Sequence, residues 1–300
     1  MSHARPGQNK FRFDIIKTYP QRGPLCQYRL SASTGFECNR CSRSKKSKLV
    51  ATILSDWQRL LCNACYGHLL SLWEIKSGEL PDSEKHNELF RALQEFTTRD
   101  QVEQSRKNLL SRQEGAKLLS QPALTMIATS EAVASRLSLR ATELDWSAAI
   151  IGLCKALEVE SIRLIAEPLR NVTEQFDLSE DLRDGRLRRV AKFCTGRSKP
   201  PELGSLAHFL AEASAPHRQR SSSILVSSLR NLSLNWPHSD WLFSQDGFID
   251  STRELTQKYR NPAAHTDLLT MEEYNSCREL IQGNEGILWN LHTATQPHRK

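Results

Sequence analysis

Two groups of residues in this chain have types and spacings that could do chemistry. Near the start, Cys38 and Cys41 form one CxxC pair and Cys62 and Cys65 a second, with twenty residues between the pairs. Four thiolates from two such knuckles suit tetrahedral zinc in a closed, structural site. A reducing compartment removes the disulfide alternative. Near the end, "YRNPAAHTD" places Arg260 and Asn261 before a proline and a short alanine turn that presents His265. A histidine titrates where general-base work needs it. A guanidinium is always charged, and its planar fork suits phosphate oxygens.

The plain alternative for the second group is a well-capped helix, with Asn261 as N-cap and Pro262 at the first helical position. One residue can serve both roles. A helix starting at Pro262 would direct its free N–H groups and dipole toward a nearby phosphate and favour the neutral imidazole. On an unbroken helix Arg260 and His265 would stand roughly 140° apart and could not converge. Pro262 is therefore expected to break the helix, with Arg260 before the turn.

The elements that must position these residues read as mostly helical. The fold class expected is mainly α, with a small zinc-binding module at 24–76, a helical linker at 77–125 and an all-helical domain at 126–293. "SEKHNELFRALQEF" and "VEQSRKNLLSRQEGAKLL" have the spacing of connecting helices. In "WSAAIIGLCKALEVESIRLIAEPL", Ile150, Cys154, Leu157, Ser161 and Leu164 predict a long helix with one buried stripe, and Arg163 and Glu167 an exposed pair. "NWPHSDWLFSQDGF" reads as loop. Thr270 and Glu273 make a capping box for the last helix, whose middle is weakened by Gly283 and Gly286.

Composition sets the frame. With 39% hydrophobic and 25% charged residues over 300 positions, the chain has the balance of a globular protein with room for two cores. It has no apolar run of membrane-spanning length, and "MSHARPGQNK" has no signal-peptide core, so a cytoplasmic location is expected. A formal charge of +7 leans toward an anionic partner, although Lys and Arg are spread along the chain. Cys154, Cys194 and Cys277 are isolated and read as buried apolar residues. Cys26 reads as a packed thiol or a replacement ligand. Arg43, Lys45, Lys46 and Lys48 lie inside the finger and read either as phosphate contacts or as a solvated loop.

"CNRC" followed by "LCNACYG" resembles a GATA-type zinc finger of treble-clef kind, in which the second knuckle opens a helix. The resemblance covers about thirty residues and implies Zn2+ on Cys38, Cys41, Cys62 and Cys65. The Trp-Arg segment expected between the knuckles is replaced by "SRSKKSKLVATILSDWQRL", so the DNA-contacting pattern is not reproduced. Trp57 can take the packing role.

"AAIIGLCKALEVESIRLIAEPLR", "PELGSLAHFL" and "RNPAAHTDLLTMEEY" together resemble the HEPN family of helical nucleases and nucleotide-binding domains, over about residues 126 to 293. The resemblance implies a catalytic set of Arg260, Asn261 and His265. It also implies metal-independent RNA cleavage by the 2′-OH, a homodimer that brings two motifs together, and a setting such as antiviral defence or toxin–antitoxin pairing with an inhibitory partner. The alternative is a non-catalytic adaptor that binds nucleic acid or a nucleotide and dimerises through its helices. Tyr259 reads as core or as a base-stacking group.

Overall fold

The structure is a computed structural model that describes residues 13–41, 43–78, 81, 84–85, 87–88, 97–138, 145–217, 222–265 and 268–295. The chain divides into two compact units, one of Met1–Glu79 with Leu137–Thr142, the other of Leu80–Arg136 with Glu143–Lys300. The helix expected from "SEKHNELFRALQEF" falls largely outside the described residues, as does the "MSHARPGQNK" segment.

The first unit is a four-stranded antiparallel sheet followed by a helix. Its strands β1 (Ile15–Thr18), β2 (Leu25–Glu37), β3 (Ser44–Ile53) and β4 (Asp56–Leu61) pair in sequence order. The sheet begins upstream of residue 24, where the sequence places the start of the zinc module. Alternation along β2 puts Cys26, Tyr28 and Leu30 on one face, where they pack with Val50 and Leu60. Trp57 covers this cluster, with its ring 4.6 Å from Tyr28 and 5.0 Å from Phe13. The β3–β4 hairpin turns on Leu54 and Ser55, both at positive φ (52° and 61°), the handedness that two-residue hairpins favour. Ser55 Oγ lies 3.3 Å from Cys26 Sγ, which fixes Cys26 as a packed thiol within the sheet. Helix α1 (Asn63–Ser77) packs on β2 and β3. At Gly23 (φ 55°) a Cβ would meet Trp73 at 2.4 Å, so only glycine lets that helix close onto the turn.

The second unit is helical. It runs through α2 (Arg99–Arg112), α3 (Gln121–Ser138), α4 (Ser147–Ser161), α5 (Glu167–Thr173), α6 (Ser179–Arg183), α7 (Arg188–Cys194) and α8 (Leu203–Ser214). Then follow α9 (Ile224–Ser233), α10 (Ser239–Phe243), α11 (Asp250–Leu255), α12 (Asn261–Ala264), α13 (Met271–Gln282) and α14 (Ile287–Thr295). Among the described residues no helix is long and apolar enough to cross a membrane.

Helix α4 is the centre of this unit, packed by α8, α12, α13 and α14. The expected single stripe is corrected: Ala149, Ile150, Ile151, Leu153, Ala156 and Leu157 are all buried, around nearly the whole circumference. Gly152 allows α3 to come close, since a Cβ there would meet Ser130 Cβ at 2.9 Å. One buried polar residue of α4 is paired over long range. Glu160 accepts from Ser120 N–H at 3.0 Å and lies 2.8 Å from His292 Nε2 on α14.

Other local expectations shift for identifiable reasons. A π-turn over Ile162–Ala166 rotates Glu167 out of register, and Arg163 bonds Glu160 at 2.6 Å instead. "NWPHSDWLFSQDGF" contains α10 and then a kink at Gly247, where the backbone is not helical, so it is partly helical. The Thr270–Glu273 capping box is present. The helix after it stops at Gly283 and resumes as α14, so the final element is two helices.

Candidate functional site

The cysteine pairs meet where the sheet hands over to α1. Cys38 and Cys41 sit on the turn between β2 and β3, held by Cys38 N–H to Arg43 O (3.1 Å) and Asn39 N–H to Leu60 O (2.8 Å). Cys62 is the residue before α1, and Cys65 lies in its first turn. The four Sγ atoms all lie within 4.8 Å of one another. Cys41 and Cys62 are 3.9 Å apart. Thiolates on a tetrahedral zinc at about 2.3 Å stand about 3.8 Å from each other, so the set fits the ion. A hydrogen bond from the Cys65 thiol, against the opposing effect of burial and with help from backbone N–H groups, pulls Cys38 down to about 4. The same contact, with burial, pushes Cys65 well above the usual thiol range. Crowded thiols of this kind share protons unequally, and a cation that takes all four as thiolates removes the conflict.

Arg43, Lys45, Lys46 and Lys48 are all exposed, Arg43 just before the strand that follows the first knuckle and the three lysines on it. The segment is strand and not loop: Lys45, Lys46 and Lys48 belong to β3, with Lys45 opposite Phe36 and Lys46 opposite Gly35, and all three stay exposed. Strand alternation puts Lys46 and Lys48 on one face and Lys45 on the other.

The "YRNPAAH" segment is the end of a helix, not the start of one. Arg260 and Asn261 both have right-handed helical dihedrals, and the backbone runs helically from α11 through α12. Asn261 is therefore no N-cap. Pro262 is accommodated because the turn before it, Thr256–Arg260, is a π-turn closed by Asn261 N–H to Thr256 O. The widened turn relieves the clash between a proline ring and the carbonyl one turn back. His265 follows as the C-cap, exposed, with its N–H on Asn261 O (3.0 Å) and Pro262 O (3.2 Å). The anion-attracting N–H groups expected at this point are not supplied, so a phosphate here would depend on side chains.

The structure does bring Arg260 and Asn261 together. Arg260 is 7% exposed, and its Nη1 donates to Asn261 Oδ1 at 2.9 Å. Its Nη2 meets Glu202 Oε2 at 3.3 Å. Thr266 and Asp267 lie outside the described residues. Tyr259 is half-buried, and burial pushes its phenol up.

Glu202 also lines a half-open cavity of about 790 Å³. Lys155 on α4, Arg188, Arg189 and Lys192 on α7, and Lys199 in the following loop present five cations to it. Its apolar lining comes from Met126, Val159, Ile162 and Pro200. The basic clustering in "RLRRVAKFC" and "SKPPEL" was the available signal for this cavity. Glu202 had none, because its role depends on a partner 58 residues away.

No protein-family model matches this sequence, and no curated protein or solved structure is similar to it at a significant level.

Proposed function

We propose that the chain is a zinc-stabilised, RNA-directed protein whose helical unit is a metal-independent endoribonuclease of HEPN type. The observation that carries this reading is the Arg260–Asn261 side-chain pair, held at a helix end that is followed at once by an exposed histidine. In the reaction, His265 takes the proton from a ribose 2′-OH as its oxygen attacks the adjacent phosphorus. The P–O5′ bond breaks, the 5′-oxygen leaves with a proton from solvent, and a 2′,3′-cyclic phosphate remains. Arg260 offsets the charge that builds on the phosphoryl oxygens. In this reading the two cysteine knuckles, the intervening hairpin and the following helix make a treble-clef finger, and Arg43, Lys45, Lys46 and Lys48 would contact phosphates. A homodimer would concentrate the positive charge of the two copies.

A second reading, a non-catalytic adaptor for nucleic acid or nucleotides, draws on a specific feature: Glu202 already neutralises the Arg260 guanidinium. One assay separates the two readings. Purified protein is incubated with labelled structured and unstructured RNAs in EDTA, beside His265→Ala. Cyclic-phosphate ends that vanish in the variant establish the nuclease. Retained binding with no cleavage of any RNA establishes the adaptor.

A further inference from the structure

We infer that the cavity between α4 and α7 is a binding site for an oligoanion carrying adjacent phosphates, separate from the Arg260–His265 segment and independent of whether that segment cleaves RNA. Its cations are not equivalent. Lys155 is paired with Glu158 at 2.5 Å and Arg189 with Glu202 at 3.1 Å. Arg188 donates to the carbonyls of Leu182 (3.1 Å) and Arg183 (3.3 Å), which fixes its guanidinium at the rim. Lys192 and Lys199 are exposed and have no side-chain hydrogen bond or ion pair among the described residues. The cavity therefore holds two uncommitted ammonium groups beside a fixed guanidinium, and its two carboxylates are already engaged.

That arrangement selects for the ligand class. These cations come from a helix and from the loop after it, and together they carry more positive charge than a single carboxylate would offset. Consecutive phosphates present several anionic oxygens spaced along a chain and can meet them together. The apolar wall of Met126, Val159, Ile162 and Pro200 offers a surface for a base or sugar. The cavity volume lies in the range of ligand sites of this size. The phosphates can come from a nucleoside triphosphate or from the backbone of a nucleic-acid strand.

The test is a binding titration on the full chain with inorganic tripolyphosphate, ATP and a short RNA oligonucleotide, each at low and raised salt. The Lys192→Gln/Lys199→Gln variant alters only exposed groups, and Lys107→Gln/Lys117→Gln, two exposed lysines that do not line the cavity, serves as the control. Affinity lower by about tenfold or more in the first variant and unchanged in the control is expected, with the difference shrinking as salt rises. Binding of tripolyphosphate and ATP assigns the site to a free phosphate chain, and binding of RNA alone assigns it to a strand. Either supports the proposal. Failure of all three to bind, or binding that the Lys192/Lys199 variant leaves intact, overturns it. No cleavage is read, so the outcome stands apart from the nuclease assay.

Discussion

Glu202 bridges two arginines, with one carboxylate oxygen 3.1 Å from Arg189 at the rim of the basic cavity and the other 3.3 Å from the buried Arg260. A single counter-ion thus ties the cavity to the segment that carries the Arg-Asn-His motif. Glu202→Gln keeps the shape and removes that charge. The Glu202 side chain is 27% exposed and that of Arg260 9%, so the stability lost is about 1–2 kcal/mol, below the cost of breaking a fully buried pair. The same change frees Arg189, so tripolyphosphate should bind more tightly. Urea unfolding and anion titration read the two effects. A variant as stable as the wild type and no tighter for the anion would refute the coupling.

The zinc assignment makes a separable prediction. The protein should hold a single zinc ion per chain, lost in Cys38→Ser and kept in Cys26→Ser, because Cys26 pairs with Ser55 and not with the cluster. Metal binding and folding of so small a module are linked, and removing the ion should cost the first unit several kcal/mol, on the order of its whole stability. Elemental analysis gives the stoichiometry. The near-ultraviolet signal of Trp57, stacked in the sheet's core, follows unfolding. Full zinc occupancy in Cys38→Ser would disprove the ligand set.

These features differ in how readily the sequence discloses them. The cysteine cluster and the Thr270–Glu273 box are written in short spacings, where local geometry follows from residue type. The Pro262 break is a misreading with a physical cause. Proline's conflict with a helix is real, but a π-turn just upstream absorbs it, and no single-residue preference announces such a turn. The burial of α4 around nearly its whole circumference was not legible because Glu158 and Glu160, charged and outside the expected stripe, look like a solvated face. Glu160 is tolerated there because Ser120 and His292 arrive from distant segments, and Glu158 because Lys155, one turn earlier, pairs with it.

His265 and Arg260 should respond differently to alanine. His265 is exposed at a helix end, so His265→Ala should stay within about 0.5 kcal/mol of wild-type stability. Cleavage should fall by about 10²–10⁴-fold if the imidazole moves the proton. Arg260→Ala leaves Glu202 and Asn261 without a buried partner and should cost about 2 kcal/mol besides any loss of activity. Thermal unfolding beside a cleavage time course separates the two. Cleavage unchanged in a folded His265→Ala would remove the histidine from the mechanism.

Acid stability should turn on Glu160. Burial alone would raise this carboxyl, but hydrogen bonds involving His292, Arg163 and Ser120 outweigh it and hold the group down at about 2. A carboxylate depressed in the folded state stabilises the protein above its ordinary value near 4.5 and loses that contribution as the pH falls toward about 2. The contribution is on the order of 3 kcal/mol, since each pKa unit corresponds to about 1.4 kcal/mol. Glu160→Gln removes the charge that joins α4 to α14 and to the start of α3, so it should be less stable than the wild type at neutral pH. The gap should narrow as the pH falls from about 4.5 toward about 2, because the unfolded wild type takes up a proton there that the folded carboxylate resists. Urea midpoints across this range measure the effect. Parallel curves for the two proteins would show that Glu160 does not carry the acid limb.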